Sequence, residues 1–379
     1  MHMPRFYTFY RQLTRGISMR TTFRSAPRAG AVICGAYGME NAGDDAVLSA
    51  IVTALRRIDG SMPITVLARR PKSVAARFSV GAIHPLRLLR WMATMRRARL
   101  FISGGGSLLQ DITSRRSLWY YLLTIRLAKR LGCAVQLYGC GIGPLRSPRS
   151  REATARILNA CADIVTLRDK DSAALLDTLG VTKPRILLAA DPALGQSPTA
   201  LREREPCLGI ALRDWPGLWT HIPELAAAIR RACDTYKLAP VFFCFAPEDR
   251  QAVRSVCAEL SDLPCSVSVE PRRIGRMSLV LSMRLHGLVF ALRDGAPAAG
   301  VSYDPKVDAF CREAGLPCLP LAEVTADALS HRLDEAIHLD TEQLSAAAEA
   351  LARRADISAG AAAQLYAEGA PNDQKSDEA

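Results

Sequence analysis

From Gly30 onward, short apolar runs alternate with amphipathic stretches. Ala31–Tyr37 has the pattern of a strand, and Ala46–Ile58, after a Gly/Asn/Asp loop, repeats its apolar positions at helical spacing. Further strands are expected at Ile64–Ala68, Leu100–Ser103, Ala134–Tyr138, Ile164–Leu167 and Ile186–Ala189, with helices at Leu86–Arg97, Ser117–Arg130, Arg149–Cys161 and Ser172–Leu179. Gly195–Pro206 interrupts the alternation with Gly, Pro, Ser and alternating Arg and Glu, as a linker does. The pattern then resumes, with strands at Cys207–Leu212, Val241–Phe245, Ser266–Val269 and Ala298–Tyr303 and helices at Ile222–Tyr236 and Asp249–Leu260. Such alternation predicts an α/β fold, each half a parallel sheet wrapped by helices. The expected divisions are an arm over 1–29, a first domain over 30–195, a linker over 196–206, a second domain over 207–324, and C-terminal helices with a frayed end over 325–379. Ligands in sheets of this kind sit at the carboxyl ends of the strands, here in a cleft between the halves.

One apolar run carries unexpected polar chemistry. Leu279–Leu292 is interrupted by Arg284-Leu285-His286-Gly287. Burying an unpaired charge is costly, so these groups have a partner or a ligand. Two readings stay open: a core histidine beside an arginine that reaches the surface, or an anion fork beside a proton-transfer group.

Loops at the predicted strand ends add to the second reading. Gly35–Asp45 holds three glycines, but their spacing is wrong for a dinucleotide fingerprint. Asp44 and Asp45 fit a helix cap or first-turn charges, and they would repel a phosphate there. Contact of Asn41 and an aspartate with sugar hydroxyls fits better. Gly104-Gly105-Gly106-Ser107 ends a predicted strand and is expected to open a helix, where backbone N–H groups can approach a ligand. Asp111 would then lie one turn into that helix and face the same cleft. A second glycine cluster, Gly139–Pro144 with Gly141 at its centre, follows the next strand. Arg168 and Arg213 each end a strand and precede an aspartate, so each pair reads either as a small local salt bridge or, with Arg284, as a grip on a compact polyanion. Tyr303 and Lys306 flank Asp304-Pro305, which reads equally as an ordered turn or as cleft lining.

Composition narrows the classes. The 379 residues are 49% hydrophobic and 23% charged, as in a soluble globular protein of two domains. No apolar run is long enough to cross a bilayer uninterrupted. The 11 cysteines have neither zinc spacing nor a disulfide framework, so no metal is expected and a reducing cytoplasm is the simplest home. The formal charge of +12 points to anionic partners. With no nucleic-acid-binding motif present, small anions and an anionic membrane surface are favoured over nucleic acid. The acid-free arm lacks a signal-peptide core. It reads as disordered, as upstream of a second start at Met19, or as a peripheral membrane contact through Phe6, Tyr7, Phe9 and Tyr10.

Taken in order, Gly35–Asp45, Gly104–Asp111, Gly139–Pro144, Leu167-Arg168-Asp169, Asp191-Pro192-Ala193, Arg284–Gly287 and Ser302-Tyr303-Asp304-Pro305-Lys306-Val307 resemble the polysaccharide pyruvyl transferase family. The likeness runs from about Ala31 to Gly315, and looks nearest to the branch acting on cell-wall or surface polysaccharide precursors containing N-acetylmannosamine. The resemblance implies two Rossmann-like domains similar to GT-B glycosyltransferases. It also implies transfer of the enolpyruvyl group of phosphoenolpyruvate to two sugar hydroxyls, giving a cyclic ketal and phosphate without a cofactor. In that scheme Arg213, Arg284 and the Leu285 backbone bind donor oxygens and His286 is the acid/base. Asp44 or Asp111 serves the acceptor, and Arg168, Gly104–Gly106, Gly141, Ser302, Tyr303 and Lys306 line the substrate cleft. The acceptor would be lipid-linked, at the inner face of the plasma membrane. A nucleotide-sugar glycosyltransferase and a non-catalytic saccharide-binding protein are the alternatives.

Overall fold

The computed structural model describes residues 28–198 and 203–368. The arm up to residue 27, with its expected aromatic membrane contact, residues 199–202 of the linker and the polar end from 369 lie outside the described residues.

The first half runs β1 (Ala31–Tyr37), α1 (Ala42–Ile58), β2 (Ile64–Ala68), α2 (Pro71–Phe78), β3 (Gly81–Ile83), α3 (Leu88–Arg97), β4 (Leu100–Leu109), α4 (Arg115–Arg130), β5 (Ala134–Ile142), α5 (Pro148–Cys161), β6 (Ile164–Leu167), α6 (Lys170–Thr178) and β7 (Arg185–Leu188). Its strands form one parallel sheet in the order β3-β2-β1-β4-β5-β6-β7. A 3-10 turn, Pro192–Gly195, leads towards the second half. There β8 (Glu205–Ala211), α7 (Ile222–Tyr236), β9 (Ala239–Phe243), α8 (Asp249–Glu259), β10 (Ser266–Ser268), β11 (Met277–Ser282), α9 (Leu285–Arg293), β12 (Ala298–Ser302), α10 (Pro305–Ala314) and β13 (Cys318–Pro320) build a second parallel sheet, β10-β9-β8-β11-β12-β13. Two helices, α11 (Ala326–Ile337) and α12 (Thr341–Glu368), end the described chain.

Helices cover both faces of each sheet, so the central strands are apolar on both sides. Val32, Ile33, Phe101, Ile102, Leu279 and Val280 are fully buried. In each sheet the strand order reverses once, between β1 and β4 in the first and between β8 and β11 in the second. Such reversals open a crevice at the carboxyl ends of the strands. Asn41 and Asp44 follow β1, Arg213 follows β8 and Arg284 follows β11, so the fold delivers them to these two crevices.

Two local expectations change. The glycine triad lies inside β4, which continues to Leu109, and no helix opens there. Helix α4 starts at Arg115, where the Ser114 side chain accepts the Ser117 N–H. Asp111 therefore sits in a loop, and its carboxylate accepts the N–H groups of Arg146 (2.7 Å) and Ser147 (2.9 Å). Burial pushes that carboxyl up, but these donors bring it below the ordinary carboxylate range. Asp111 pins the loop after β5 rather than facing the cleft. The Leu279–Leu292 run is a strand and a helix, broken at Met283 and Arg284. Of the C-terminal helices, α12 returns to the first sheet. Buried Gln136 on β5 donates to the Ser358 carbonyl (2.9 Å), and the Ser358 hydroxyl bonds the Thr166 hydroxyl on β6 (2.9 Å).

Candidate active site

Helix α1 brings the first side chains to the cleft. Its cap is Asn41 rather than an aspartate: Asn41 Oδ1 accepts the N–H groups of Gly43 (3.0 Å) and Asp44 (3.4 Å). The oxygen expected to meet sugar hydroxyls is thus engaged in capping. Asp45 turns away to pair with Arg77 (2.5 Å). Asp44 stays at the interface, with burial and the neighbouring Asp45 raising its carboxyl to about 6 against the pull of His286, Lys306 and Arg284. Those three groups belong to the second half, so Asp44 faces across the cleft.

The glycine triad positions this helix. A side chain at Gly105, whose φ is +29°, would run into Val47 of α1, and Gly106 lies beside Asp44. The bare backbone lets α1 sit directly on β4 and carry Asp44 to the strand end.

His286 stands in the first turn of α9. Its ring lies against Gly43, and a β-carbon there would overlap the imidazole. On its other side Nε2 is 3.5 Å from Asp191 Oδ2, beyond hydrogen-bond length. Nε2 is buried and makes no hydrogen bond. Catalytic contacts in ligand-free sites are commonly this long. Burial would raise Asp191, yet the His286 ring, the Arg168 guanidinium and the Ala193 N–H hold its carboxyl at about 2. An anion at all neutral pH values therefore orients the imidazole.

Arg168 supports that anion. Its Nη1 is 3.3 Å from Asp191 Oδ2, its Nη2 donates to Ser107 Oγ (2.9 Å), and its Nε is 3.6 Å from Asp169. Gly141 leaves the room for the guanidinium. With its donors engaged by protein groups, Arg168 positions Asp191 and is not a free fork for an anion.

Arg284 also has a partner that the chain pattern did not reveal. Its Nε donates to Asp249 Oδ2 (3.1 Å), its Nη2 to Asp249 Oδ1, and Glu248 lies 3.5 Å from Nη2. Asp249 is fully buried and also accepts the N–H groups of Phe245 and Ala246 (3.0 Å each). Nη1 keeps no protein partner among the described residues. Arg213 differs, since it makes no ion pair among the described residues. Its Nη1 donates to the Tyr303 hydroxyl (2.8 Å), and its guanidinium packs on the rings of Trp215 and Tyr303. A positive fork held by rings and only partly buried is well suited to a carboxylate or phosphate.

Both readings of the 303–306 turn apply. Asp304 caps α10 by accepting the Lys306 N–H (3.1 Å), and Lys306 Nζ is 3.1 Å from Asp304 Oδ2. Lys306 also lines a cleft with Arg168, Asp191, Leu285 and Phe310. Ser302 is buried and donates to Asp308. The structure thus gathers Asp44, His286, Arg284, Leu285 and Lys306 at the interface, with Tyr303 and Arg213 adjoining through Arg284. Asp111 and Ser302 are occupied elsewhere.

The chain pattern assigned no role to either supporting carboxylate, Asp249 or Asp191, although Asp191 stands in the Asp191-Pro192-Ala193 motif. Asp191 breaks an apolar stretch just after β7, and Asp249, preceded by Glu248, opens α8 beyond the end of β9. That position was their signal.

Asp44 gives a pH test. Its folded value of about 6 lies above the ordinary carboxylate 3.8, so its stabilising contribution is complete below 3.8 and lost as pH rises to about 6. Asp44→Asn is expected to raise the unfolding free energy by about 1 kcal/mol near pH 8 and to change little near pH 4. Urea titrations at the two pH values check it, and an equal effect at both would contradict a strained carboxylate.

Two α/β halves with facing carboxyl ends define a GT-B-like enzyme architecture. Solved structures share it, including a UDP-N-acetylglucosamine 2-epimerase described as putative, from Listeria monocytogenes (12% identity, TM-score 0.65, 90% of this chain and 97% of that one). Anabaena Alr3699/HepE in complex with UDP and glucose is another (12%, TM-score 0.58, 90% and 99%). A third is UDP-GlcNAc 2-epimerase from Neisseria meningitidis bound to UDP-GlcNAc (9%, TM-score 0.59, 89% and 99%). No curated protein matches by sequence. The sequence pattern of the family described as polysaccharide pyruvyl transferase matches residues 41–251, more than half of the chain, and the protein belongs to that family.

Proposed function

We propose that the protein moves the enolpyruvyl group of phosphoenolpyruvate onto two hydroxyls of one sugar in a lipid-linked cell-surface polysaccharide precursor, with N-acetylmannosamine as the candidate sugar. The observation that carries this reading is the imidazole of His286, seated on Gly43, backed by anionic Asp191 and opposed across the cleft by Asp44. Phosphoenolpyruvate carries one carboxylate and one phosphate, and it needs one proton donor and a small cluster of cations. Arg213, the free Nη1 of Arg284 and Lys306 supply the cations.

Protonated His286 gives its proton to the methylene carbon, which becomes a methyl group, and C2 becomes an oxocarbenium-like centre. A sugar hydroxyl adds to C2 and surrenders its proton to a base, for which neutral His286 and Asp44 are placed. The second hydroxyl then displaces phosphate at C2, closing the ketal, and its proton leaves with the phosphate. The arginines and Lys306 stabilise charge on the departing group. Asp191, 3.5 Å from Nε2, keeps the ring aimed.

A nucleotide-sugar transferase is the second reading, favoured by the similarity to structures that hold UDP or a UDP-sugar. A panel of lipid-linked or aryl disaccharides, incubated with phosphoenolpyruvate, is expected to give a pyruvyl adduct by mass spectrometry with one phosphate released per adduct. A thermal shift with UDP, none with phosphoenolpyruvate, and no adduct would favour the second reading.

A further inference from the structure

The rim of the first sheet exposes large apolar side chains where polar ones are the rule. Leu86 is 86% exposed, Leu89 82%, Met39 50% and Ile112 42%. All four belong to one edge of the sheet. Met39 lies between β1 and α1, Leu86 and Leu89 between β3 and the first turn of α3, and Ile112 between β4 and α4. These strands are parallel, and β3, β2, β1 and β4 are consecutive neighbours. Their carboxyl ends therefore form a row with a spacing of about 5 Å per strand. It is the same edge from which Asn41 and Asp44 enter the cleft.

Around the α3 part of this row the charge has one sign, while at the far end Glu40, paired with Arg70, stands beside Met39 and Asp111 beside Ile112. From Gly60 to Gln110 the sequence has no acidic residue. The outward stripe of α3 and its approach, Leu86, Leu89, Arg90, Ala93, Arg96 and Arg97, repeats at helical spacing opposite buried Trp91, Met92 and Met95. Arg87, Arg90, Arg96 and Arg97 make no ion pair among the described residues. Aliphatic tips set among unpaired guanidiniums suit one environment, the headgroup region of an anionic bilayer, where the tips enter the acyl boundary and the arginines meet phosphates. Nucleic acid is a poorer fit, because it is gripped by basic grooves with stacking rings, and these tips are aliphatic. In a two-fold contact between copies, the same surface would face itself with like charges opposed.

We propose that this rim, with Leu86 and Leu89 as the inserting side chains and Arg87 and Arg90 beside them, docks the protein on an anionic lipid surface. The cleft edge that carries Asp44 then lies at the bilayer, where a lipid-linked acceptor would present its sugars. Docking itself is independent of the reaction proposed above. Only that functional meaning rests on it.

Flotation of the full-length chain with phosphatidylcholine vesicles, with and without phosphatidylglycerol, tests the docking without any turnover. The wild type is expected to float with the anionic vesicles and to remain below with the neutral ones. Leu86→Ser with Leu89→Ser should cut the bound fraction by roughly tenfold or more at an unchanged thermal midpoint. Arg87→Gln with Arg90→Gln should cut it by about fivefold per charge removed at low salt. Undiminished flotation of the leucine variant overturns the proposal, as does a wild type that binds both vesicles equally or neither. A lipid-free dimer that the leucine variant abolishes, seen by sedimentation, would assign the face to a second copy and also overturn it. Turnover with a water-soluble aryl disaccharide should be the same in wild type and leucine variant, so a failed reaction and a failed docking give separate signals.

Discussion

His286→Ala is expected to lower turnover of phosphoenolpyruvate and a saccharide acceptor by about 10²–10⁴-fold, the usual worth of a positioned general acid. The thermal midpoint should move little. The ring is largely shielded but makes no hydrogen bond through Nε2, and its loss leaves Asp191 still held by Arg168 and the Ala193 N–H. His286→Gln keeps much of the volume and none of the proton chemistry, so it should be as slow as the alanine variant. Single-turnover phosphate release gives the readout. Near-normal rates in both variants would remove the imidazole from the mechanism and leave Asp44, which titrates near 6, as the remaining acid at the interface.

A second large effect is expected at Arg284, and it is structural as well as catalytic. Arg284→Ala leaves the fully buried Asp249 with backbone donors alone, where a bidentate guanidinium had been. Breaking one side of a buried ion pair costs about 3–5 kcal/mol. The loss should grow with pH. Burial already raises the Asp249 carboxyl, with Arg284 opposing that shift. Without the arginine the folded state holds the Asp249 proton more tightly, so stability falls as pH rises through the carboxylate window. Urea titrations at acidic and mildly alkaline pH measure the difference. Arg284→Ala with Asp249→Asn should recover much of the stability and none of the donor binding. If Arg284 served phosphoenolpyruvate alone, Arg284→Ala would shift the unfolding free energy by no more than about 0.5 kcal/mol. Arg213→Ala is the contrast: a partly buried arginine without an ion pair should weaken donor affinity with little effect on stability.

Local pattern carried the architecture. Helix Ile222–Tyr236 has the bounds its periodicity predicts, and the strand–helix alternation becomes two parallel sheets. The short elements α2 and β3 were missed because eight and three residues give too little periodicity to register. Helix α10 was missed: only its start, around Asp304-Pro305, was read, as an ordered turn or cleft lining, although Asp304 followed by Pro305 is also a helix-start signal. The glycine triad misled for a different reason. Glycines at a strand end suit a ligand or a close-packed helix equally, and which of the two applies depends on Val47, far away in sequence.

At the site, residue types were legible and their partners were not. Arg284 and His286 stood out as polar groups in an apolar run. That Asp249 neutralises one and Asp191 orients the other follows from how β9, β11 and β7 end, which no local window contains. Arg168 was expected to grip the substrate and instead holds Asp191 in place.

The return of α12 has a mechanical consequence. Arg354 bonds the Ala189 carbonyl at the end of the first sheet (2.5 Å) and also Glu313 on α10 of the second half. Further along, Ser358 is buried against β5 and β6. One rigid rod thus splints the hinge. Swinging the halves apart would have to break the partly buried Arg354–Glu313 pair or lift Ser358 from its buried seat, so this helix opposes such a motion.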